Sequence, residues 1–209
     1  VIAIVDYGMG NLRSAQKGFE KAGFEAVVTD DPAVIASAHG VVLPGVGAYV
    51  DCYAGLEACA LVEPVLEAAH SGKPFLGICV GLQLLFEGSD EGGSDKGLGI
   101  FKGRNVRFPK AAETGLKVPH MGWNQVRRQA GRDCPLLAET SATPYTYFVH
   151  SYFAQPEDPD IVLATCNYGV DFPAIVGRGN VLAAQFHPEK SQREGISILR
   201  AFGNMVAAN

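Results

Sequence analysis

Two short segments of this sequence hold the residue types that nucleophilic acyl chemistry requires. The first, Gly77-Ile78-Cys79-Val80-Gly81, has the form G-x-C-x-G and lies where a strand pattern gives way to a helical one. In so tight a turn, side chains flanking the cysteine would collide with neighbouring backbone, and glycine at 77 and 81 avoids that. Such an elbow lifts a thiol clear of the C-terminal edge of a sheet, where open α/β folds bind their ligands. The next helix would point its N-terminus at the sulfur and favour negative charge there. The Val80 N–H could then donate to an oxyanion. A buried cysteine that merely enters a helix is the competing assignment, and the five residues alone do not separate the two.

The second segment is Ala183-Ala184-Gln185-Phe186-His187-Pro188-Glu189. Residues two apart on an extended chain share a face, so His187 and Glu189 are expected to project into one site. An imidazole serving as base to a thiol needs a third group to hold its tautomer, commonly a carboxylate. Pro188 would stiffen the link. An isolated H-P-E reads as an ordinary solvated strand end. Here Cys79 precedes His187 by 108 residues, so only the fold can join them. His39, His70, His120 and His150 have no carboxylate so placed and are assigned structural or peripheral positions. The other cysteines, 52, 59, 134 and 166, form no C-x-x-C and indicate neither a zinc site nor a thioredoxin-like motif. They are expected to be reduced thiols acting as small hydrophobes.

These groups need a scaffold, and the first half of the chain supplies an alternating one. Residues 1–5 form an apolar, β-branched run suited to a buried parallel strand. Leu12, Ala15, Phe19 and Ala22 keep helical spacing, with Gly23 as C-cap. Strands are expected at 26–29, 41–43 and 75–78, a short helix opening at Asp31-Pro32, and a helix over 80–86. Residues 88–97 read as a polar, mobile loop. Strand patterns then dominate at 105–108, 123–127, 145–153, 161–167 and 174–186, the last with a hairpin turn at 177–180. Ser191 and Glu194 suggest a capping box for a final amphipathic helix. The expected fold is α/β: a mostly parallel twisted sheet with helices on both faces, flavodoxin-like, plus antiparallel strands. No repeat or linker divides residues 1–209, which are expected to form one domain.

Composition excludes several classes of function. With 209 residues, 47% of them apolar, the chain can bury a full core without disulfides or metal. A net charge of −5 argues against nucleic acid. No apolar run approaches the roughly 18 residues of a membrane span, and no basic stretch precedes the apolar N-terminus. A soluble, cytoplasmic protein is expected, its initiator methionine removed or unnumbered before Val1. Gly8-Met9-Gly10 follows a strand, but a dinucleotide fingerprint would need glycine at Arg13. That reading is rejected.

G-I-C-V-G-L-Q-L-L-F-E and A-A-Q-F-H-P-E-K-S together resemble the class I (triad) glutamine amidotransferases, over essentially the whole chain. Three further segments narrow the resemblance: Asp6-Tyr7-Gly8-Met9-Gly10-Asn11-Leu12, Pro44-Gly45-Val46-Gly47 and Pro119-His120-Met121-Gly122-Trp123-Asn124. They are similar to the glutaminase subunits that form a heterodimer with a (β/α)8-barrel cyclase in histidine biosynthesis. One departure is Val80, where leucine is more familiar. The resemblance implies glutamine as substrate, no cofactor, and a Cys79–His187–Glu189 triad working through a γ-glutamyl thioester. It implies further that Val46 or Gly47 supplies an oxyanion donor beside Val80. Gln83 would reach the substrate, Glu91 would hold its ammonium group, and Ser151 and Tyr152 would meet its carboxylate end. Glu87 would be structural. Asn11, Trp123 and Lys190 would face the partner. The alternatives are the glutaminase of another synthase, such as that for pyridoxal phosphate, and a stand-alone cysteine hydrolase on the same fold. Lys190 and the Pro119–Asn124 segment speak against the first, and Gln83 with residues 44–47 against the second. An intact triad disfavours a non-catalytic binding module.

If Cys79 is the nucleophile, a glutamine-mimicking electrophile labels Cys79 and none of the other four cysteines, and Cys79→Ala abolishes glutamine hydrolysis while the protein stays folded. Peptide mass spectrometry checks this. Labelling at Cys52 or Cys134, with activity kept in Cys79→Ala, contradicts it.

Overall fold

The computed structural model describes the backbone of residues 1–209 and every side chain but those of Ala111 and Thr114. The first half runs β1 (Ile2–Val5), α1 (Leu12–Ala22), β2 (Ala26–Thr29), α2 (Pro32–Ser37), β3 (Gly40–Gly45), α3 (Tyr49–Ala58), α4 (Val62–His70), β4 (Phe75–Cys79) and α5 (Val80–Leu84). There follow β5 (Gly88–Ser89), β6 (Gly103–Arg107), α6 (Ala111–Thr114), β7 (His120–Gln125), β8 (Arg127–Arg128), β9 (Tyr145–His150) and β10 (Tyr152–Pro156). The chain closes with β11 (Val162–Asn167), β12 (Asp171–Arg178), β13 (Val181–Ala184) and α7 (Gln192–Ala208).

The main sheet has the order β2-β1-β3-β4-β13-β12-β11-β8. Its first five strands are parallel, and the last three continue it antiparallel. β1, β3, β4 and β13 are buried along their whole length, which is why they read as unbroken apolar runs and not as alternating ones. Right-handed crossovers fix the layers: β1 to β2 moves one way and β2 to β3 the other, placing α1 and α2 on opposite faces. α1 packs with α7 on its face, where Phe19 and Phe202 meet at 5.9 Å. Full burial of such a ring contributes about 1.5–3 kcal/mol. Because the connections leave β1 and β3 in opposite directions, a crevice opens at their C-terminal ends, the expected place for a ligand.

A three-stranded sheet, β10-β6-β5, and a two-stranded one, β7-β9, lie beyond the main sheet. The second alternates cleanly: His120, Thr146, Phe148 and His150 are buried, while Met121, Trp123 and Tyr145 are exposed.

Several sequence expectations are corrected. The run 145–153 is two strands in different sheets, because the chain turns at Ser151. Likewise 123–127 divides between β7 and β8. Ser191 makes no capping bond. Its hydroxyl donates to the His187 carbonyl at 2.6 Å, and Glu194 instead accepts from the Ser141 N–H. Residues 88–97 are not free loop: they contain β5 and a 3-10 turn at Glu91–Gly93, and Arg104 bridges Asp90 and Asp95. Helices α3 and α4 had no counterpart in the sequence pattern.

A close backbone approach lies at the elbow. A Cβ on Gly81 would stand 1.9 Å from the Leu43 carbonyl oxygen. One on Gly18 would crowd the Leu199 side chain at 2.6 Å and meet Glu189 at ordinary contact distance, 3.7 Å. Gly81→Ala is therefore expected to cost about 1–3 kcal/mol, lowering the unfolding midpoint by about 2–4 °C per kcal/mol. Gly18→Ala, where a side chain can rotate away and helix propensity improves, should stay near wild type. Thermal melts followed by circular dichroism compare the two.

Candidate active site

Cys79 ends β4 and takes φ 56° and ψ −111°, a conformation that residues with side chains rarely adopt. Such strain, of order 1–3 kcal/mol, persists only where the surroundings over-determine it. Here they do. Gly45, paired with Cys79 in the sheet register, approaches Gly81 N and the Val80 side chain so closely that its own Cβ would lie 2.9 Å from each. α5 starts directly at Val80, which puts Cys79 at the N-cap position of that helix.

His187 follows β13, the neighbour of β4. Its N–H donates to the Tyr147 carbonyl at 2.9 Å, and its carbonyl is held by Ser191, which also accepts from the Tyr147 N–H. The link to Glu189 is not extended as the spacing suggested: Pro188–Lys190 is a 3-10 turn, and that turn folds the carboxylate back beneath the ring. Nδ1 donates to Glu189 Oε1 at 2.8 Å, with both side chains almost fully buried. Nε2 has no hydrogen-bond partner and is the nitrogen left for the Cys79 sulfur. Burial opposes a charge on this imidazole, but the sulfur of Cys79 and the carboxylate of Glu189 outweigh it and raise His187 to about 10.

These groups meet at a cavity of about 660 Å³. Cys79, His187, Val46, Gly47, Val80, Gln83, Glu91, Ser151 and Tyr152 all line it, as do Asn11 and Lys190 at its rim. Glu189 lies behind His187 and outside the lining, and Trp123 stands apart, 46% exposed, on the β7-β9 face. Lys190 sits 5.9 Å from the centre of the Tyr147 ring on that face.

Hydrogen bonding narrows what each group can offer. Both Gln83 amide hydrogens are used, one on the Tyr152 carbonyl at 2.9 Å and one on Gln185 Oε1 at 3.1 Å. Toward a ligand, Gln83 can therefore act only through its oxygen. One Glu91 oxygen accepts from the Tyr49 N–H at the start of α3, and the other remains for a cation. Glu87 accepts from the Gly103 N–H, a structural use. In residues 44–47, the Pro44 carbonyl accepts from the Tyr7 hydroxyl at 2.6 Å and the Val46 carbonyl from the Cys52 thiol at 3.4 Å. The Gly45–Val46 peptide lies between these anchors. Burial raises Cys52 and Cys134 to about 11 and Cys166 to about 12, so these thiols stay protonated near neutral pH.

Sequence reasoning missed four contributors: Tyr7, Ser191, Gln185 and His150. Gln185 is fully buried, and its Nε2 donates to Cys79 Sγ at 3.9 Å. His150, expected to be structural or peripheral, lines the cavity. Only the doubled polar residues of the Q-F-H-P-E segment hinted that Gln185 faced the same site.

The sequence profile of the family "Glutamine amidotransferase class-I" matches residues 3–205. The chain is 55% identical over 207 residues to the imidazole glycerol phosphate synthase subunit HisH of Geobacter sulfurreducens, covering 98% of each. It is 57% identical over 208 residues to the protein of the same name from Syntrophotalea carbinolica, covering 98% of this chain and 100% of that one. Among solved structures it resembles a crystal structure of a glutamine amidotransferase, with a TM-score of 0.75 at 18% identity, covering 99% of this chain and 100% of the other. It also resembles PurLQS from Thermotoga maritima, with a TM-score of 0.73 at 21% identity and 97% of each chain covered. The last two likenesses speak to the fold alone. On the profile match and the near-complete, better than half-identical relatives, the chain belongs to the class-I glutamine amidotransferases and, among them, to the HisH subunits of imidazole glycerol phosphate synthase.

Proposed function

We propose that the chain hydrolyses glutamine to glutamate and ammonia at Cys79 and delivers the ammonia to a (β/α)8-barrel cyclase subunit, in the cytoplasm, for histidine biosynthesis. The observation that carries the reading is the alignment of a strained, cavity-facing cysteine with a buried imidazole whose far nitrogen is held by Glu189 and whose near nitrogen is unpartnered.

The sulfur of Cys79 attacks the side-chain amide carbon of glutamine. Negative charge moves to the amide oxygen, where the Val80 N–H and an N–H from Val46 or Gly47 stabilise it. His187, held protonated by the sulfur and Glu189, gives its Nε2 proton to the departing nitrogen as the C–N bond breaks, leaving ammonia and a γ-glutamyl thioester. Water then adds to the thioester with His187 taking its proton, and the C–S bond breaks to release glutamate. Glu189 keeps Nδ1 protonated throughout and so keeps Nε2 pointed at the reaction. Glu91, with one free oxygen, suits the substrate's ammonium group, and Ser151 and Tyr152 at the turn between β9 and β10 suit its carboxylate end.

Ammonia escaping into neutral water becomes ammonium, which is no nucleophile, so an open cavity favours a partner that covers it. The exposed face of β7-β9, with Met121, Trp123 and Tyr145, adjoins that mouth, and Asn11 and Lys190 edge it. An exposed tryptophan in an apolar patch suits an interface anchor. The Gly45–Val46 peptide offers a switch: turning it presents or withdraws one oxyanion donor, worth about 2.7–4 kcal/mol or about two to three decades in rate.

The isolated chain is accordingly expected to be nearly inactive. Adding cyclase with its nucleotide should raise kcat far more than it changes KM for glutamine. Full activity alone, or no response to the ligand-loaded cyclase, rules out the switch. In the activated enzyme, His187→Asn should lose several orders of magnitude in turnover and Glu189→Gln fewer. Equal, small losses mark the pair as structural.

The raised His187 also has a signature in stability. Between its unfolded value of about 6.5 and its folded value of about 10, the native state holds a proton that the unfolded state has released. Its stabilising contribution is complete below about 6.5 and disappears as pH rises toward 10. Denaturant titrations across that range should show the advantage of wild type over His187→Asn shrinking with pH. A gap that widens or stays flat contradicts the charge assignment.

A further inference from the structure

The cysteine reading leaves a set of buried polar groups unused, and they are connected. Both of the histidines in β7-β9 that face inward take part. His150 Nδ1 lies 2.9 Å from the Tyr152 carbonyl, which can only accept, so Nδ1 carries the hydrogen. In a neutral ring Nε2 must then accept, and it lies 3.0 Å from His120 Nδ1. His120 Nδ1 is therefore the donor there, and His120 Nε2 accepts from Asn124 Nδ2 at 3.2 Å. The other Asn124 hydrogen goes to the Asn167 carbonyl at 2.9 Å, and its oxygen accepts from the Gln125 N–H. Every donor finds an acceptor, and one tautomer of each ring is selected. Burial supports that state, holding His120 down at about 4 and His150 at about 3.

The far end of this chain reaches the nucleophile. The Tyr152 carbonyl that accepts from His150 also accepts from Gln83, and Gln83 in turn donates to Gln185. Gln185, 0% exposed, donates to Cys79 Sγ. Gln185 is itself held from behind, its N–H donating to the Ala174 carbonyl at 2.9 Å. A buried amide aimed at a sulfur interacts more strongly when that sulfur is negative, because hydrogen bonds to charged groups are roughly twice as strong as neutral ones. Its geometry is set by partners that have no slack, since a shift of Gln185 would strip Gln83 of an acceptor in a buried place.

We propose that Gln185 is a positioning residue for the reaction, holding the Cys79 sulfur through its amide, and that the neutral His120–His150 pair sets Gln185 from the β7-β9 sheet through the Tyr152 carbonyl and Gln83. The chain ties the strand that bears Trp123 to the Cys79 sulfur. It also joins the Ser151–Tyr152 turn to the same sulfur, so the carboxylate end of the substrate and the attacking atom share one rigid frame.

The inference rests on Cys79 being the nucleophile, and that is tested separately by labelling wild type with a glutamine-mimicking electrophile. If wild-type Cys79 is not labelled, the nucleophile reading fails. If it is labelled, two variants of the full-length chain test the inference alone. Gln185→Leu should slow alkylation of Cys79 by iodoacetamide, followed on the Cys79 peptide, by about 10- to 100-fold, the loss of one hydrogen bond to a charged group. In the assembled synthase its kcat for glutamine should fall in parallel, with KM changed by less than about threefold. His120→Phe keeps the ring stacked between Phe148 and Tyr168 but removes the relay, and should slow alkylation about 2- to 10-fold. A wild-type alkylation rate in either variant with native near-ultraviolet dichroism overturns the proposal. Should Gln185→Leu not fold, His120→Phe decides it.

Discussion

The site depends on one close approach, that of the Gly81 backbone to the Leu43 carbonyl oxygen. No Cβ fits between them. With α5 pressed this hard against the end of β3, the chain leaving β4 has no room to enter a helix gradually. It turns within one residue, and Cys79 takes the positive φ that results. The strain is thus a consequence of packing between two glycine-bearing segments, and the thiol is held where the crevice opens at the switch in strand order. The same packing sets Gly45 against Val80 and so brings residues 44–47 beside Cys79.

Electrostatics then act on a geometry already in place. An imidazole buried as deeply as His187 would ordinarily be neutral, as His120 and His150 are. His187 is raised because a carboxylate touches one nitrogen and a sulfur lies near the other. Three histidines within one neighbourhood therefore divide into two kinds. His120 and His150, with no carboxylate in contact, are held neutral by burial, and His187, between Glu189 and the Cys79 sulfur, is raised.

The β7-β9 ribbon has two roles because a strand presents alternate residues to opposite sides. Its inner face supplies His120 and His150 to a polar chain that ends at the Cys79 sulfur, and its outer face supplies the exposed Met121, Trp123 and Tyr145. A partner seated on the outer face would press on the same two strands that position the inner groups. The ribbon is also joined to the His187 turn, through the bridge between Tyr147 and His187 and the hydroxyl of Ser191.

Local pattern was enough to read the parallel core, the elbow at Cys79 and the H-P-E segment, because each depends on neighbours in sequence. β-branched runs make buried strands, glycines flank a tight turn, and the family resemblance paired Cys79 with His187. It failed wherever a side chain had competing partners. Ser191 and Glu194 have the spacing of a capping box, yet Ser191 binds the His187 carbonyl and Glu194 the Ser141 amide, since those unpaired groups lie closer in the folded chain. The H-P-E triplet put Glu189 beside His187 by the wrong geometry, because the chain closes into a 3-10 turn there. Gln185, His120 and His150 were invisible as contributors: their roles are made by contacts 30 to 106 residues apart, across strands whose register only the assembled sheets define. Sequence thus determined which residues could do chemistry. Tertiary structure decided how they are held, because a buried hydrogen bond goes to whichever partner packing brings within reach.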